Sequence, residues 1–252
     1  MPDLRARYEF KYLVDADQMD WIRRVVRTYC DPDAYGDNGK YFVNSLYLDT
    51  WDWMLARQTI EGQRNRFKLR VRTYGWEDSD PVFAENKGRV GTSILKTRAL
   101  MDRKYIDALL LGDAGPFPAL KESHQADLDR FRNRVDFLSF RPRLWVRYIR
   151  EAYGSQYGDG ARLTFDTSLE AQAPDLDRPF TPDHTQWLPV PLEGPHQILE
   201  MKFNGAFPFW MQRIVHGLEL RRVSCSKYVQ GAEHLGEVPW NRLERGLGWM
   251  AF

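Results

Sequence analysis

The stretch Arg66-Phe67-Lys68-Leu69-Arg70-Val71-Arg72 alternates without a break. At the two-residue period of a strand, Phe67, Leu69 and Val71 point one way, and Arg66, Lys68, Arg70 and Arg72 the other. One face asks for a hydrophobic core, and the other carries cations and no acid. Same-face neighbours on a strand stand about 7 Å apart, so unpaired like charges repel there and require an anion. A solvated sheet face explains one such strand equally well. Solvated faces usually mix signs, however, and here the basic pattern recurs on other strands.

The same alternation marks Arg7 to Val14, with Arg7, Glu9 and Lys11 opposite Tyr8, Phe10 and Tyr12. Asp15 or Asp17 caps a helix through about Tyr29, whose apolar stripe is Met19, Ile22, Val26 and Tyr29. Asp31 to Gly39 is turn-rich, and Tyr41 to Leu48 is a strand ending at Asp49-Thr50. The strand Arg66 to Tyr74 is joined by Gly75 to Pro81 to Val82 to Arg89, where Phe83, Glu85, Lys87 and Arg89 share a face. Gly91 turns the chain into Ile94 to Arg98. Asp102 caps a short helix that Gly112 ends, and Leu120 to Leu138 forms a longer one. Strands follow at Leu144 to Tyr153, Arg162 to Asp166 and Ile198 to Phe203, with Glu170 to Pro195 as an irregular loop. Pro208 opens a helix to about Leu220, Ser226 to Leu235 forms the last helix, and the Trp-rich tail Pro239 to Phe252 packs on the surface. Hairpin-length connections between strands imply an antiparallel sheet with helices outside. Closed into a barrel, such a sheet turns one face into a lumen.

With 252 residues, 43% of them hydrophobic, the chain supports a sizeable core. Its 36 Lys and Arg against 35 Asp and Glu leave a net charge of +1, so no global field draws it to nucleic acid or anionic lipid. Any positive field is local. Cys30 and Cys225 suggest a reducing compartment and exclude a disulfide scaffold. With no apolar leader after Met1 and no long apolar run, the chain is expected to be soluble and cytoplasmic, without a membrane segment.

Three strands carry Glu-x-Lys: Glu9/Lys11, Glu85/Lys87 and Glu200/Lys202. Each pair shares a strand face, and ordinary intrastrand pairing of that kind contributes little. The company matters more, because Arg70, Arg72, Lys96, Arg98, Arg150 and Arg162 also fall on predicted strands. Cations grip phosphate oxygens, arginine as a planar fork, while carboxylates hold a divalent metal that bridges those oxygens. Without a metal the same face only binds a polyanion. The five histidines lack metal-ligand spacing, and no G-x-x-x-x-G-K-[ST] loop is present. Cys225 is expected to be a buried inert thiol, and Trp51-Asp52-Trp53 and Phe207-Pro208-Phe209-Trp210 to be packing segments.

An ordered series of motifs runs through the chain. It comprises Arg7-Tyr8-Glu9-Phe10-Lys11-Tyr12, Ser45-Leu46-Tyr47-Leu48-Asp49, Arg70-Val71-Arg72-Thr73-Tyr74-Gly75, Glu85-Asn86-Lys87, Tyr148-Ile149-Arg150, Arg162-Leu163-Thr164-Phe165-Asp166-Thr167, Leu199-Glu200-Met201-Lys202 and Ser226-Lys227-Tyr228. It resembles the catalytic domain of the vacuolar transporter chaperone (VTC) family, polyphosphate polymerases of the triphosphate tunnel metalloenzyme superfamily. The resemblance implies an α+β fold, an eight-stranded antiparallel β-barrel tunnel with helices packed outside, as one domain over residues 1–252. It implies transfer of the γ-phosphoryl of ATP to a growing polyphosphate chain, aided by Mn2+ or Mg2+. Matched by motif, Lys11, Arg70, Arg72, Lys87, Lys96, Arg150, Arg162 and Lys227 bind phosphates, joined by Lys202. Glu200 becomes the metal ligand, with Glu9 as a second carboxylate from the superfamily's Glu-x-Lys pattern. Eukaryotic members add phosphate-sensing and membrane domains for which 252 residues leave no room, so separate partners, a membrane protein among them, are expected.

Two other readings stay open. The same tunnel could hydrolyse tripolyphosphate or a nucleoside triphosphate, with water as the attacking group. Glu9 and Glu85 are the candidate bases, each with a lysine two residues away on its own face. A non-catalytic polyphosphate-binding module would keep the cations and lose the carboxylates, and the presence of Glu200 favours an enzyme.

Overall fold

A computed structural model describes residues 7–90, 93–192, 194 and 196–238. Arg7–Val14 forms β1, and Asp15 then stops the strand by capping α1, Ala16–Val26. The Gln18 amide donates to the Asp15 carboxylate and the Gln18 side chain accepts from the Asp15 amide, a complete capping box. The helix ends at Val26, short of Tyr29. Cys30–Pro32 forms a short strand, β2, inside the stretch expected to be a loop. Lys40–Asp49 is β3, Arg66–Thr73 β4, Val82–Val90 β5 and Ser93–Met101 β6. Asp102 caps a 3-10 turn leading into α3, Ile106–Leu111, which Gly112 ends in the left-handed conformation. Gln125–Phe137 is α4, Arg141–Ser155 β7 and Arg162–Gln172 β8. Leu188–Pro189 is β9, Gln197–Asn204 β10, Phe209–Gly217 α5 and Lys227–His234 α6.

The strands form one antiparallel sheet in the order β1-β10-β8-β7-β3-β4-β5-β6, with β2 beside β7 and β9 beside β8. The expected antiparallel architecture with helices packed outside is therefore present, with eight strands in its main path and α6 lying on the inner face instead. The sheet curls but keeps two edges, β1 and β6, so it is a half-barrel by its backbone ladders. Side chains reach across the seam instead: Lys87 on β5 lies 3.0 Å from Glu9 on β1.

Alternation assigns the two faces. Leu46, Leu48, Leu69, Val71 and Trp145 turn outward beneath Ile106 and Leu110 of α3 and Leu128, Phe131 and Val135 of α4. Tyr12, Val14, Phe165, Leu199 and Met201 turn outward beneath Met19, Ile22 and Val26 of α1 and Trp210, Met211 and Ile214 of α5. Each fully buried side chain of this size contributes about 1.5–3 kcal/mol. The concave face is polar except at one end. There Val43, Tyr47, Leu144, Val146 and Tyr148 meet Tyr228, Val229 and Ala232 of α6.

Besides β2, and β9 inside the expected 170–195 loop, a helix after β3 and the length of β8 depart from the expected pattern. The helix α2, Met54–Ile60, follows Trp53, which has a left-handed backbone (φ 59°) and no cap of its own. Its free amides are satisfied from the preceding strand end instead. Buried Asp49 accepts from the Leu55 and Ala56 amides at 2.9 and 3.0 Å, and Thr50 Oγ1 accepts from Met54. Tyr228 donates to the same Asp49 at 2.5 Å, tying α6 to β3 and α2. Strand β8 continues to Gln172 rather than ending at Asp166. Its register against β7 shifts near Ser168, whose φ is 50°. The inserted residue lets Asp166 and, beyond it, Leu169 and Ala171 face the same concave side. Of the aromatic segments, Trp53 and Trp210 are buried, whereas Trp51 and Phe209 stand in solvent. The Gly91 turn and the Pro239 to Phe252 tail lie outside the described residues.

Gly231 lets α6 lie flush on the sheet: a Cβ there would sit 3.1 Å from Leu144 and 3.2 Å from Ala171. Gly231→Leu is expected to lower stability by about 1–3 kcal/mol through overpacking. It is also expected to withdraw the start of α6 from the concave face, read as weaker tripolyphosphate binding in the folded fraction. Denaturant melts and calorimetry check both.

Candidate functional site

The concave face collects charge from strands far apart in sequence. Four acids organise it. Glu200 on β10 has Lys202 at 2.9 Å, Lys227 at 3.0 Å, Arg150 at 3.2 Å and Lys11 at 3.3 Å. Asp166 on β8 accepts two bonds of 2.7 Å from Arg150 and holds Lys227 at 2.5 Å. Glu9 on β1 pairs with Lys87 and, at 3.7 Å, with Lys11. Glu85 on β5 takes Arg70 at 2.6 Å, Lys96 at 3.0 Å, Arg98 at 3.1 Å and Arg72 at 3.9 Å. Glu85, Glu200 and Asp166 are buried, so each of them depends on its cations.

Position follows from register. Glu9 lies opposite Lys202 and Lys11 opposite Glu200 along the β1–β10 pair. Arg70 lies opposite Glu85, which lies opposite Arg98. Arg150 lies opposite Asp166. Lys227 comes from the first turn of α6, and the Cys225 carbonyl just before it accepts from Lys11 at 2.9 Å. Tyr148 sits between the groups, with Lys227 4.7 Å and Arg150 5.4 Å from its ring centre.

The predicted residues Lys11, Glu9, Arg70, Arg72, Lys87, Lys96, Arg150, Glu200, Lys202 and Lys227 all face this basin. Arg162 stands apart at the rim, half exposed and bound to Asp33 of the loop before β3. The intrastrand pairing read from Glu-x-Lys holds at Glu9/Lys11 and Glu200/Lys202 but not at Glu85/Lys87. Glu85 is already surrounded from β4 and β6, and Lys87 turns across the seam to Glu9. Sequence reading named Arg98 and Lys68 only as members of basic strand faces, and it assigned Asp166 and Tyr148 no role in the site. Their signal was strand parity: Asp166 shares a face with Arg162, and Lys68 with Arg70.

Electrostatics keeps the acids ionised. Burial pushes the Glu200 carboxyl up, but Lys202, Lys227, Lys11 and Arg150 outweigh it and hold it well below the usual range. Burial and Glu200 push Glu9 up, while Lys87, Lys11 and Lys202 bring it down to about 2. At Glu85, burial is again overcome, chiefly by Arg70, Arg72 and Lys96. Burial pushes the Cys225 thiol up despite Lys11 and Lys227, consistent with an inert thiol. Among the described residues, no three His, Cys, Asp or Glu side chains converge to cage a metal ion. Glu200 and Glu9 are neighbouring anionic oxygen donors, the ligand type that hard divalent cations take, and both are engaged by cations of the basin.

Residues 6–235 match the family model described as the VTC domain. The chain belongs to the VTC domain family. A curated relative, vacuolar transporter chaperone complex subunit 4 of Schizosaccharomyces pombe, is 23% identical over 274 residues. That match covers 91% of this VTC domain and 37% of the relative, so the chain spans well under half of that protein. A solved structure from Bacillus halodurans, described as a candidate adenylate cyclase, is 13% identical with a TM-score of 0.50 and covers 98% of both chains. A candidate adenylyl cyclase from Hippeastrum, described as having a dominant triphosphatase activity, is 13% identical with a TM-score of 0.47, covering 94% of this chain and 98% of that one. The first of these supports the fold. No helix of the VTC domain among the described residues is long and apolar enough to cross a membrane.

The depressed carboxylates lead to an expected loss of stability in acid. A group whose pKa is lower folded than unfolded stabilises the fold above its unfolded value and stops doing so as pH falls through its folded value. For Glu9 that window runs from about 4.5 down to about 2. Glu9→Gln is expected to melt below wild type at pH 5–7 and to converge with it near pH 2. A constant difference across that range would contradict the ion-pair account.

Proposed function

We propose that this VTC domain is a polyphosphate polymerase that transfers the γ-phosphoryl group of ATP to the end of an inorganic polyphosphate chain. The observation that supports it is the convergence of cations from β1, β4, β5, β6, β7, β10 and α6 on one concave face, where they outnumber the carboxylates they share. Such a face fits a linear polyanion with charge on every repeat. Family membership supplies the chemistry.

Phosphoryl transfer is mostly positioning and charge stabilisation, so it needs no protein nucleophile. In this proposal Arg70, Arg72, Arg150, Lys11, Lys87, Lys96, Lys202 and Lys227 bind and align the phosphates, and Arg162 meets the chain at the rim. The arginines offer planar forks that hold non-bridging oxygens in a fixed orientation. Glu200, with Glu9 beside it, would hold Mn2+ or Mg2+, which neutralises charge developing on the transferred group when bound. Glu200 also keeps Lys11, Lys202 and Lys227 gathered before substrate arrives. Hydrolysis needs a base to deprotonate water. Glu9 and Glu85, the candidates, are held as anions by their neighbours and are therefore weak bases. The S. pombe relative is named as a complex subunit, and we extend to this chain the expectation of protein partners, including a membrane protein.

Purified protein incubated with ATP and Mn2+ is expected to form polymer in step with ADP. ADP with orthophosphate alone, and no polymer at any ATP concentration, would move it to the hydrolase reading. Glu200→Gln is expected to cut synthesis by about 100-fold or more. It should leave metal-free tripolyphosphate binding equal or tighter, since it removes a carboxylate from among the phosphate-binding cations. Arg150→Ala is expected to weaken that binding by about tenfold or more.

A further inference from the structure

Most cations of the concave face have found an acid. Lys11, Arg70, Arg72, Lys87, Lys96, Arg98, Arg150, Lys202 and Lys227 each have a carboxylate oxygen within 4.0 Å. Lys68 has none among the described residues. Its Nζ donates at 2.7 Å to the hydroxyl of Ser226, a neutral group that also caps α6 by accepting from the Val229 amide.

The cause lies in the register of the sheet. Lys68 on β4 faces Lys87 on β5, and Lys87 faces Lys96 on β6. Directly opposed residues have Cβ atoms about 4.5–5.5 Å apart, where like charges destabilise the pair. Lys96 escapes along the sheet to Glu85, and Lys87 escapes across the seam to Glu9. Lys68 has no such exit: on the β3 side Asp49 comes next after the Leu48–Leu69 pair, but its carboxylate accepts from the Leu55 and Ala56 amides and from Tyr228. It is faced by Lys11 from β1, Lys87 from β5, Arg66 and Arg70 from its own strand, and Cys225 and Ser226 ahead of α6. None of these is an anion, since burial pushes the Cys225 thiol up.

We propose that Lys68 is a further phosphoryl-binding residue, left open at the α6 end of the basin, and that filling this subsite is coupled to proton uptake by its amine. The proposal rests on the polyphosphate reading only for the identity of the anion. Burial, reinforced by Lys11, Lys87, Arg70 and Arg66, lowers the Lys68 pKa well below its ordinary value. A phosphate oxygen placed among Lys68, Lys11 and Lys87 supplies the charge the register leaves out. It offsets the positive charge around the amine and raises the amine's affinity for a proton. Affinity at this subsite therefore falls as pH rises.

The test is metal-free calorimetry with tripolyphosphate between pH 7 and 9, in buffers of different ionisation enthalpy. Wild type is expected to take up more protons on binding than Lys68→Arg, whose guanidinium stays charged throughout. Lys68→Met is expected to bind at least about tenfold more weakly. Without anion, Lys68→Met should melt at or above the wild-type temperature at pH 7, because it removes a buried amine that has no acidic partner among the described residues. Equal proton uptake by wild type and Lys68→Arg at every pH would overturn the coupling. Unchanged affinity in Lys68→Met would overturn the subsite, and a lower melting temperature would assign Lys68 a structural role instead. None of these readouts requires turnover. Absence of polymer from ATP with these results intact would remove the polymerase reading and leave the subsite standing.

Discussion

Like charge crowded on one curved face is the constraint to which the rest of this structure answers. Two unit charges about 7 Å apart repel by about 2 kcal/mol at an effective dielectric of about 20. The basic face of β4 alone would carry several such terms. The chain meets them with a few buried acids, each shared among cations. Glu85 serves Arg70, Arg72, Lys96 and Arg98; Glu200 serves Lys11, Arg150, Lys202 and Lys227. Sharing differs from pairing. One acid per cation would neutralise the face and leave little field for a ligand. One acid among four holds the cations in place and leaves the field positive.

The fold supports that arrangement through a single periodicity. Each strand that sends cations inward sends apolar side chains outward beneath α1, α3, α4 and α5. The inner charges are thus carried by the same backbone that buries the two outer cores, and repulsion inside is opposed by burial outside. Helix α6 is the exception to this division, because it lies on the inner side. The Asp49–Tyr228 hydrogen bond and the close approach at Gly231 hold it there. Its first turn brings Lys227 to Asp166 and Glu200, two acids on different strands.

Alternation made much of this legible in the sequence. The faces of β1, β4, β5 and β10 follow from a count by twos, and with them the inward direction of Glu9, Lys11, Arg70, Arg72, Lys87, Glu200 and Lys202. Partners across the sheet were not legible, because register depends on turns and on burial of the opposite face. Nothing near Glu85 in sequence announces Arg98, and nothing near Lys87 announces Glu9. Arg162 has the right parity but lies one pair beyond Thr164 towards the strand end, within reach of Asp33. Helix α2 was hidden for a related reason: its caps come from Asp49 and Thr50 of the preceding strand end rather than from Trp53. Asp166 stood in a quoted motif, yet its role became visible only when β7 placed Arg150 opposite it.

The ionised acids also bear on which nucleophile suits this basin. A carboxylate held anionic by three or four cations accepts a proton poorly. A water molecule attacking a terminal phosphate must lose a proton, and the named acids here are poor receivers of it. The end of a polyphosphate chain presents an oxygen that is already anionic and needs no base. What it needs is cancellation of the repulsion between its own charge and that of the phosphoryl group it attacks. A face with more cations than acids supplies that cancellation at each successive phosphate. On the polymerase reading proposed above, that electrostatic surplus favours a polymer end over water as the attacking group.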